Sequence, residues 1–196
     1  MKYPSDNLGR LVQPRHYDSL QATVAHERVW AADNDCFQGL DAVAYRRMVT
    51  TIPTDGCKFV TVPDVVGNHR VTLRRWWRWA PFVKRAGFPA AFVIQNGCDT
   101  YRQVPADADA VFVGGDTVYK LSARVEAIVR AAKADGRWVH MGRVNSTRRI
   151  QYAQAIGCDS VDGSSFSMFS DTYMPRALAM LESRAEPQMF DFGGAA

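Results

Sequence analysis

Short apolar runs alternate repeatedly with longer stretches of helical period along this sequence, a pattern that few folds can accommodate. The apolar runs are Leu11-Val12-Gln13, Val29 to Ala32, Lys58 to Val62, Ala90 to Ile94, Ala110 to Val113, Trp138 to Met141 and Asp159 to Val161. Helical patterning fills the gaps at about Tyr17 to His26, Asp41 to Thr50, Val71 to Ala86, Leu121 to Ala134, Thr147 to Ile156 and Thr172 to Ser183, and Gly87, Gly136 and Gly157 stand where helices stop. Strands apolar on both faces and separated by helices are the signature of parallel βα units. With no glycine-rich dinucleotide fingerprint and no P-loop, the pattern predicts a compact (β/α) TIM-like barrel of seven to eight strands rather than a doubly wound sheet. A barrel of this kind takes ~250 residues. The chain has 196, so either its loops are very short or the barrel is abridged, with one strand missing or atypical. One barrel domain is expected over 1–185, with 186–196, which carry Pro187, Gly193 and Gly194, as a flexible tail.

Hydrophobic residues make up 47% and charged residues 22%, which suits a buried core, and 24 Lys and Arg against 20 Asp and Glu leave a net charge of +4. That excess permits a polyanionic partner without requiring one. Met1 to Asn7 lead into no apolar h-region, and no apolar run approaches the ~20 residues of a membrane helix. A soluble, cytoplasmic protein is expected, with no membrane partner. Cys36, Cys57, Cys98 and Cys158 form no C-x-x-C pair, so free thiols are expected, with no metal site and no cofactor.

In βα folds the chemistry gathers where strands end. The residues after these runs are Asp33-Asn34-Asp35, Pro63-Asp64, Gln95-Asn96-Gly97, Gly114-Gly115-Asp116, Gly142-Arg143-Val144-Asn145-Ser146 and Asp162-Gly163-Ser164-Ser165. Each could be a helix cap or a turn. Together they would place carboxylates, amides and a glycine pair on one rim, which suits base recognition and glycosyl chemistry.

Val139 to Val144 followed by Ile156 to Asp162 resembles two consecutive strand segments of the tRNA-guanine transglycosylases. Ala32-Asp33-Asn34-Asp35-Cys36-Phe37, Val62-Pro63-Asp64, Val93-Ile94-Gln95-Asn96-Gly97 and Val113-Gly114-Gly115 resemble further motifs of that family in the same order, over about residues 29 to 165. The chain is most similar in character to the compact, phage-type deazapurine-in-DNA transglycosylases. The cysteine and histidine zinc cluster of the tRNA enzymes has no counterpart here.

The resemblance implies Asp162 as nucleophile, Asp33 as general acid/base, Asp64 and Gln95 as readers of a purine edge, and Gly114, Gly115 and Met141 as base contacts. Arg143, Arg148 and Arg149 would meet nucleic-acid phosphates. The implied activity is a pentosyltransferase that replaces guanine in DNA by a 7-deazaguanine derivative through a covalent Asp162 intermediate. Its partners would be guanine-containing DNA and a free 7-deazaguanine base, with a homodimer also open. The alternative is a non-catalytic barrel that binds a nucleobase or nucleic acid.

Two further segments carry expectations. His140, inside an apolar strand, reads as a packed and hydrogen-bonded histidine rather than a base. On the helix over Val71 to Ala86, Leu73, Trp76, Trp77, Ala80 and Val83 are expected to face the core, with Arg74, Arg75, Arg78 and Arg85 in water.

Overall fold

The computed structural model describes residues 8–16, 29–164 and 170–182. The helix expected over Tyr17 to His26 and the tail over 186–196 lie outside the described residues. The strands are β1 (Arg10–Val12), β2 (Trp30–Ala32), β3 (Cys57–Thr61), β4 (Ala90–Ile94), β5 (Ala110–Val113), β6 (Trp138–Met141) and β7 (Ser160–Val161). The helices are α1 (Ala42–Thr51), α2 (His69–Arg85), α3 (Thr117–Lys120), α4 (Ala123–Ala134), α5 (Thr147–Ile156) and α6 (Ser170–Glu182).

The strands form one parallel seven-stranded sheet in chain order, β1 to β7. Adjacent strands lie ~4.8 Å apart, so a flat sheet would set β3 and β6 about 14 Å from one another. Yet the rings of Phe59 on β3 and His140 on β6 have centroids 5.3 Å apart. The sheet is therefore curled, and side chains of distant strands meet across its concave face. Among the described residues no pairing joins β7 to β1, which makes an open half-barrel. Of the two outcomes open to the sequence, the abridged (β/α) barrel is what the chain forms.

Alternation along each strand separates two packing layers. Ala31, Phe59, Ala91, Val93, Ala110 and Phe112 fill the concave lumen. Their neighbours Val60, Phe92, Ile94, Val111, Val113, Val139 and Met141 face the helices, where Trp76, Val83, Ile128, Ile150 and Ile156 meet them. Trp76 is fully buried and stands edge-on to Phe92 at 5.5 Å, a favourable aromatic geometry.

The face of α2 departs from expectation at two residues. His69, Thr72, Trp76, Trp79, Ala80 and Val83 are the buried set, whereas Trp77 is 62% exposed. Trp77 lies ~100° around the helix from Trp76, and Trp79, at i+3, falls back onto the packed stripe. Arg75 is likewise not left to water: its Nη1 donates to the backbone oxygen of Asp64. Side chains of Asp41, Asn68, Asp116, Ser122 and Ser146 cap the N-termini of α1 to α5. Gly157 closes α5 with φ of +100°, a left-handed turn that a side chain would strain.

Candidate active site

The polar residues that follow β2, β3, β4, β5, β6 and β7 converge at the carboxyl end of the lumen. Asp162, after β7, is the best-held of them. Its Oδ2 lies 2.9 Å from His140 Nε2, and its Oδ1 accepts from the backbone N–H of Arg143 at 3.1 Å. Trp138 Nε1 donates to Ser160 Oγ at 2.9 Å, and Ser160 Oγ lies 2.8 Å from His140 Nδ1. A carboxylate only accepts, so these partners assign the Nε2–H tautomer to His140, with the serine hydroxyl donating to Nδ1. The result is a directional chain, Trp138 to Ser160 to His140 to Asp162, running from the floor of the lumen to its mouth. Burial pushes the Asp162 pKa up, but the His140 hydrogen bond, the Arg143 N–H and the nearby Lys120 outweigh it and hold Asp162 below the usual carboxylate range.

Asp33 behaves in the opposite way. Burial, reinforced by the charge of Asp162, raises its pKa to about 6. Its Oδ1 accepts from Asn34 N at 2.8 Å, and Gln13 Nε2 approaches Oδ2 at 3.4 Å, which only partly offsets the burial. The two carboxyl groups expected to work together thus share one concave face and are displaced in opposite directions, a pattern that separates an acid from a carboxylate.

Asp64 and Gln95 are also brought together, but they bind each other. Gln95 Nε2 donates to Asp64 Oδ2 at 2.6 Å, Gln95 Oε1 accepts from Gly67 N at 2.8 Å, and Asn34 Nδ2 donates to Asp64 Oδ1 at 2.9 Å. Asp64 is 5% exposed and Gln95 3%. Gly114 is packed by the same amide: a Cβ there would lie 2.6 Å from Gln95 Nε2. Hydrogen bonds that would read a purine edge are engaged inside the protein. Met141, expected as a base contact, is 2% exposed in the helix-side layer, one residue out of phase with lumen-facing His140.

The three arginines separate. Arg143 takes φ of +56°, donates from Nη2 to Gly115 O at 2.7 Å and sets its guanidinium 5.1 Å over the Phe37 ring. Arg148 and Arg149 stand in the first turn of α5, exposed and half-buried respectively.

Two site residues escape the sequence reading. His140 was legible as a packed histidine, yet it is the direct partner of Asp162. Lys120, the last residue of α3, is 6% exposed and donates from Nζ to Gly142 O at 2.8 Å. Burial, then the Arg143 charge, lowers its pKa to about 8. The signal for it is a lone lysine between Val118, Tyr119 and Leu121. Among the described residues no group of three or more His, Cys, Asp or Glu is disposed to hold a metal ion.

No family model and no curated protein matches the chain. Among solved structures, the chain is similar to the protein CitE from Mycobacterium tuberculosis, described in complex with magnesium, acetoacetate and coenzyme A. That likeness has a TM-score of 0.50 and 14% identity, covering 95% of this chain and 90% of that one. A HpcH/HpaI aldolase from Desulfitobacterium hafniense aligns with a TM-score of 0.44 and 12% identity, over 93% of this chain and 94% of that one. The likeness to CitE corrects the expected family: the fold is similar to that protein's and not to the tRNA-guanine transglycosylases. The expected pentosyltransferase activity, guanine replacement in DNA, and DNA and 7-deazaguanine as partners fall with it, as does the nucleobase-binding barrel. The engaged Asp64 and Gln95 give the physical reason in the site itself. At this identity the likeness is one of fold alone.

Proposed function

We propose that this chain is an acid–base enzyme of the lyase type, making or breaking a bond next to the carbonyl of a small substrate held in the mouth of the half-barrel. The observation that carries this reading is the pairing on one concave face of Asp162, bonded to His140 Nε2 and the Arg143 N–H, with Asp33, bonded to the Asn34 N–H, the two carboxyls being displaced in opposite directions. Asp162, oriented by His140, is the carboxylate that takes a proton from the carbon beside the carbonyl. Asp33, titrating near neutral pH, is the group that gives or accepts a proton at the substrate oxygen. Arg143, Arg148 and Arg149, at the rim, supply positive charge for an anionic substituent.

The likeness to CitE supports the fold-level part of the reading, since that protein is described with acetoacetate, a small carbonyl acid, and with magnesium and coenzyme A. No described helix is long and apolar enough to cross a membrane. The four free cysteines suit a cytoplasmic setting.

The test is a turnover screen with short 2-oxo and 3-hydroxy acids, following cleavage and solvent-deuterium exchange at the carbon next to the carbonyl. Exchange by the wild type that drops by about 10²-fold or more in both Asp33→Asn and Asp162→Asn supports the assignment. Exchange unaffected by either change overturns it.

A further inference from the structure

Lys120 has no role in the chemistry above, yet few residues of the chain are stranger in physical terms. An ammonium carries three N–H donors, and Lys120 Nζ has one acceptor among the described residues, the carbonyl of Gly142 at 2.8 Å. The strand-end geometry explains that acceptor. Gly142 N pairs with Val113 O on β5, so its carbonyl points back to the same side, where the chain has already turned away at Gly114-Gly115. The lysine fills the vacancy in the ladder. No carboxylate lies within ion-pairing distance of Nζ among the described residues, and the side chain is 6% exposed.

Gly142 also links this amine to the proposed site. A Cβ on Gly142 would stand 3.4 Å from Asp162 Oδ2 and collide with the Phe112 ring at 2.6 Å. Gly142 therefore bonds the lysine through its oxygen, and the open side of its α-carbon faces the Asp162 carboxylate. The charged groups that act on the amine are Arg143 and Arg149, which disfavour its protonated form, and Asp162 and Asp116, which favour it. Burial acts in the same direction as the arginines. A desolvated lysine beside other cations is the environment in which an amine becomes a nucleophile toward carbonyl carbon.

We propose that Lys120 is the covalent electrophile-forming residue of this site, condensing through Nζ with the carbonyl group of a small 2-oxo acid to give an iminium ion. This rests on the lyase reading above and supplies what that reading lacks, a group on this chain to draw electrons from the bond that breaks. The unprotonated amine adds to the carbonyl carbon, and the carbonyl π pair moves to oxygen. A proton shift from nitrogen to that oxygen gives the carbinolamine. The carboxylic acid form of Asp33 then gives one proton to the hydroxyl, which leaves as water while the nitrogen lone pair forms the C=N⁺ bond. Amine, carbonyl and one proton thus become iminium and water. Asp162 removes the proton from the adjacent carbon, and the electron pair of that C–H bond becomes the enamine double bond.

The test is reductive trapping of the full chain with pyruvate and cyanoborohydride, read by intact mass and peptide mapping. Lys84, beside Asp107 and Asp109, and Lys133, on Asp159, serve as internal references. Labelling of Lys120 at neutral pH should exceed that of either reference by about tenfold or more, because the unprotonated fraction of a lysine rises about tenfold for each unit its pKa falls. The labelling rate should climb as pH passes through about 8. Lys120→Met should lose the adduct and Lys120→Arg should not restore it. Labelling of Lys120 no faster than Lys84 or Lys133 overturns the proposal even if both variants fail to fold, since it is read on the wild type. Turnover without a Lys120 adduct removes the iminium and leaves the acid–base reading standing; an adduct without any turnover or exchange removes the lyase reading and leaves the reactive amine.

Discussion

His140 Nε2 lies 2.9 Å from Asp162 Oδ2, with His140 on β6 and Asp162 immediately after the neighbouring strand β7. The relationship turns a buried histidine into the orienting group for a strand-end carboxylate. Ser160 fixes the histidine from the other side, so the position of Asp162 depends on residues deeper in the lumen than itself. Ser160→Ala removes the acceptor of the Trp138 indole N–H and the partner of His140 Nδ1 at once. Chemical denaturation should show a loss of about 1–3 kcal/mol, and ¹⁵N spectra of the His140 ring should show a mixture of tautomers in place of one. Ser160→Thr, which keeps the hydroxyl, should preserve the single tautomer. Unchanged ring signals in Ser160→Ala contradict the chain of hydrogen bonds.

Asp33 gives the pH dependence of stability a distinct sign. Its folded pKa, about 6, lies above the ordinary 3.8, so the folded chain holds the proton more tightly than the unfolded chain. The contribution to stability is fullest below 3.8 and is lost as pH rises to about 6, beyond which the ionised carboxylate is a constant cost. Asp33→Asn removes that cost. The variant should unfold at higher denaturant than wild type at pH 7.5, by about 2 kcal/mol, and the difference should shrink as pH falls from 6 toward 4. A difference that grows toward acid pH contradicts the assigned direction.

The helix α2 provides a contrast between adjacent tryptophans. Trp76 is fully buried against Phe92, with its indole Nε1 3.1 Å from Asp107 Oδ1, whereas Trp77 is 62% exposed. Trp76→Ala should cost about 3–5 kcal/mol in equilibrium unfolding, and Trp77→Ala should stay within about 0.5 kcal/mol of wild type. Equal costs would place the packed stripe of α2 on the wrong face.

Much of the architecture is legible in the sequence because short apolar runs bounded by turns leave little freedom. The strands over Ala90 to Ile94, Ala110 to Val113 and Trp138 to Met141 and the helix over Thr147 to Ile156 appear with the bounds that the pattern implies. Strand-end polarity likewise points to Asp33, Asp64, Gln95 and Asp162. What the pattern cannot supply is curvature. Alternation tells which face a residue takes, and only the curl decides that Phe59 meets His140 or that Gln95 turns onto Asp64. Lys120 is missed for a local reason: the periodicity starts a helix at Leu121, whereas the one-turn α3 ends at Lys120 before α4 begins. The resemblance to transglycosylases fails because its motifs are short strand-end clusters of Asp, Gln and Gly. Any parallel βα sheet uses those residues to turn its chain and cap its helices.

The pH dependence that Lys120 gives to stability is opposite in sign to that of an ordinary ion-paired lysine. Its folded pKa, about 8, lies below the ordinary 10.5, so folding disfavours the charged amine. The cost is full below pH 8 and fades as pH rises from 8 to 10.5, where the unfolded lysine also loses its proton. Lys120→Met keeps the length and apolar stem of the side chain and removes the charge. At pH 7 the variant should match or exceed the wild type in thermal stability despite losing the bond to Gly142 O, and its relative advantage should shrink across pH 8 to 10. A lysine held for ordinary structural reasons gives the reverse, a variant that is less stable at pH 7 and approaches wild type only as the lysine deprotonates. Thermal melts of both proteins at half-unit steps of pH separate the two.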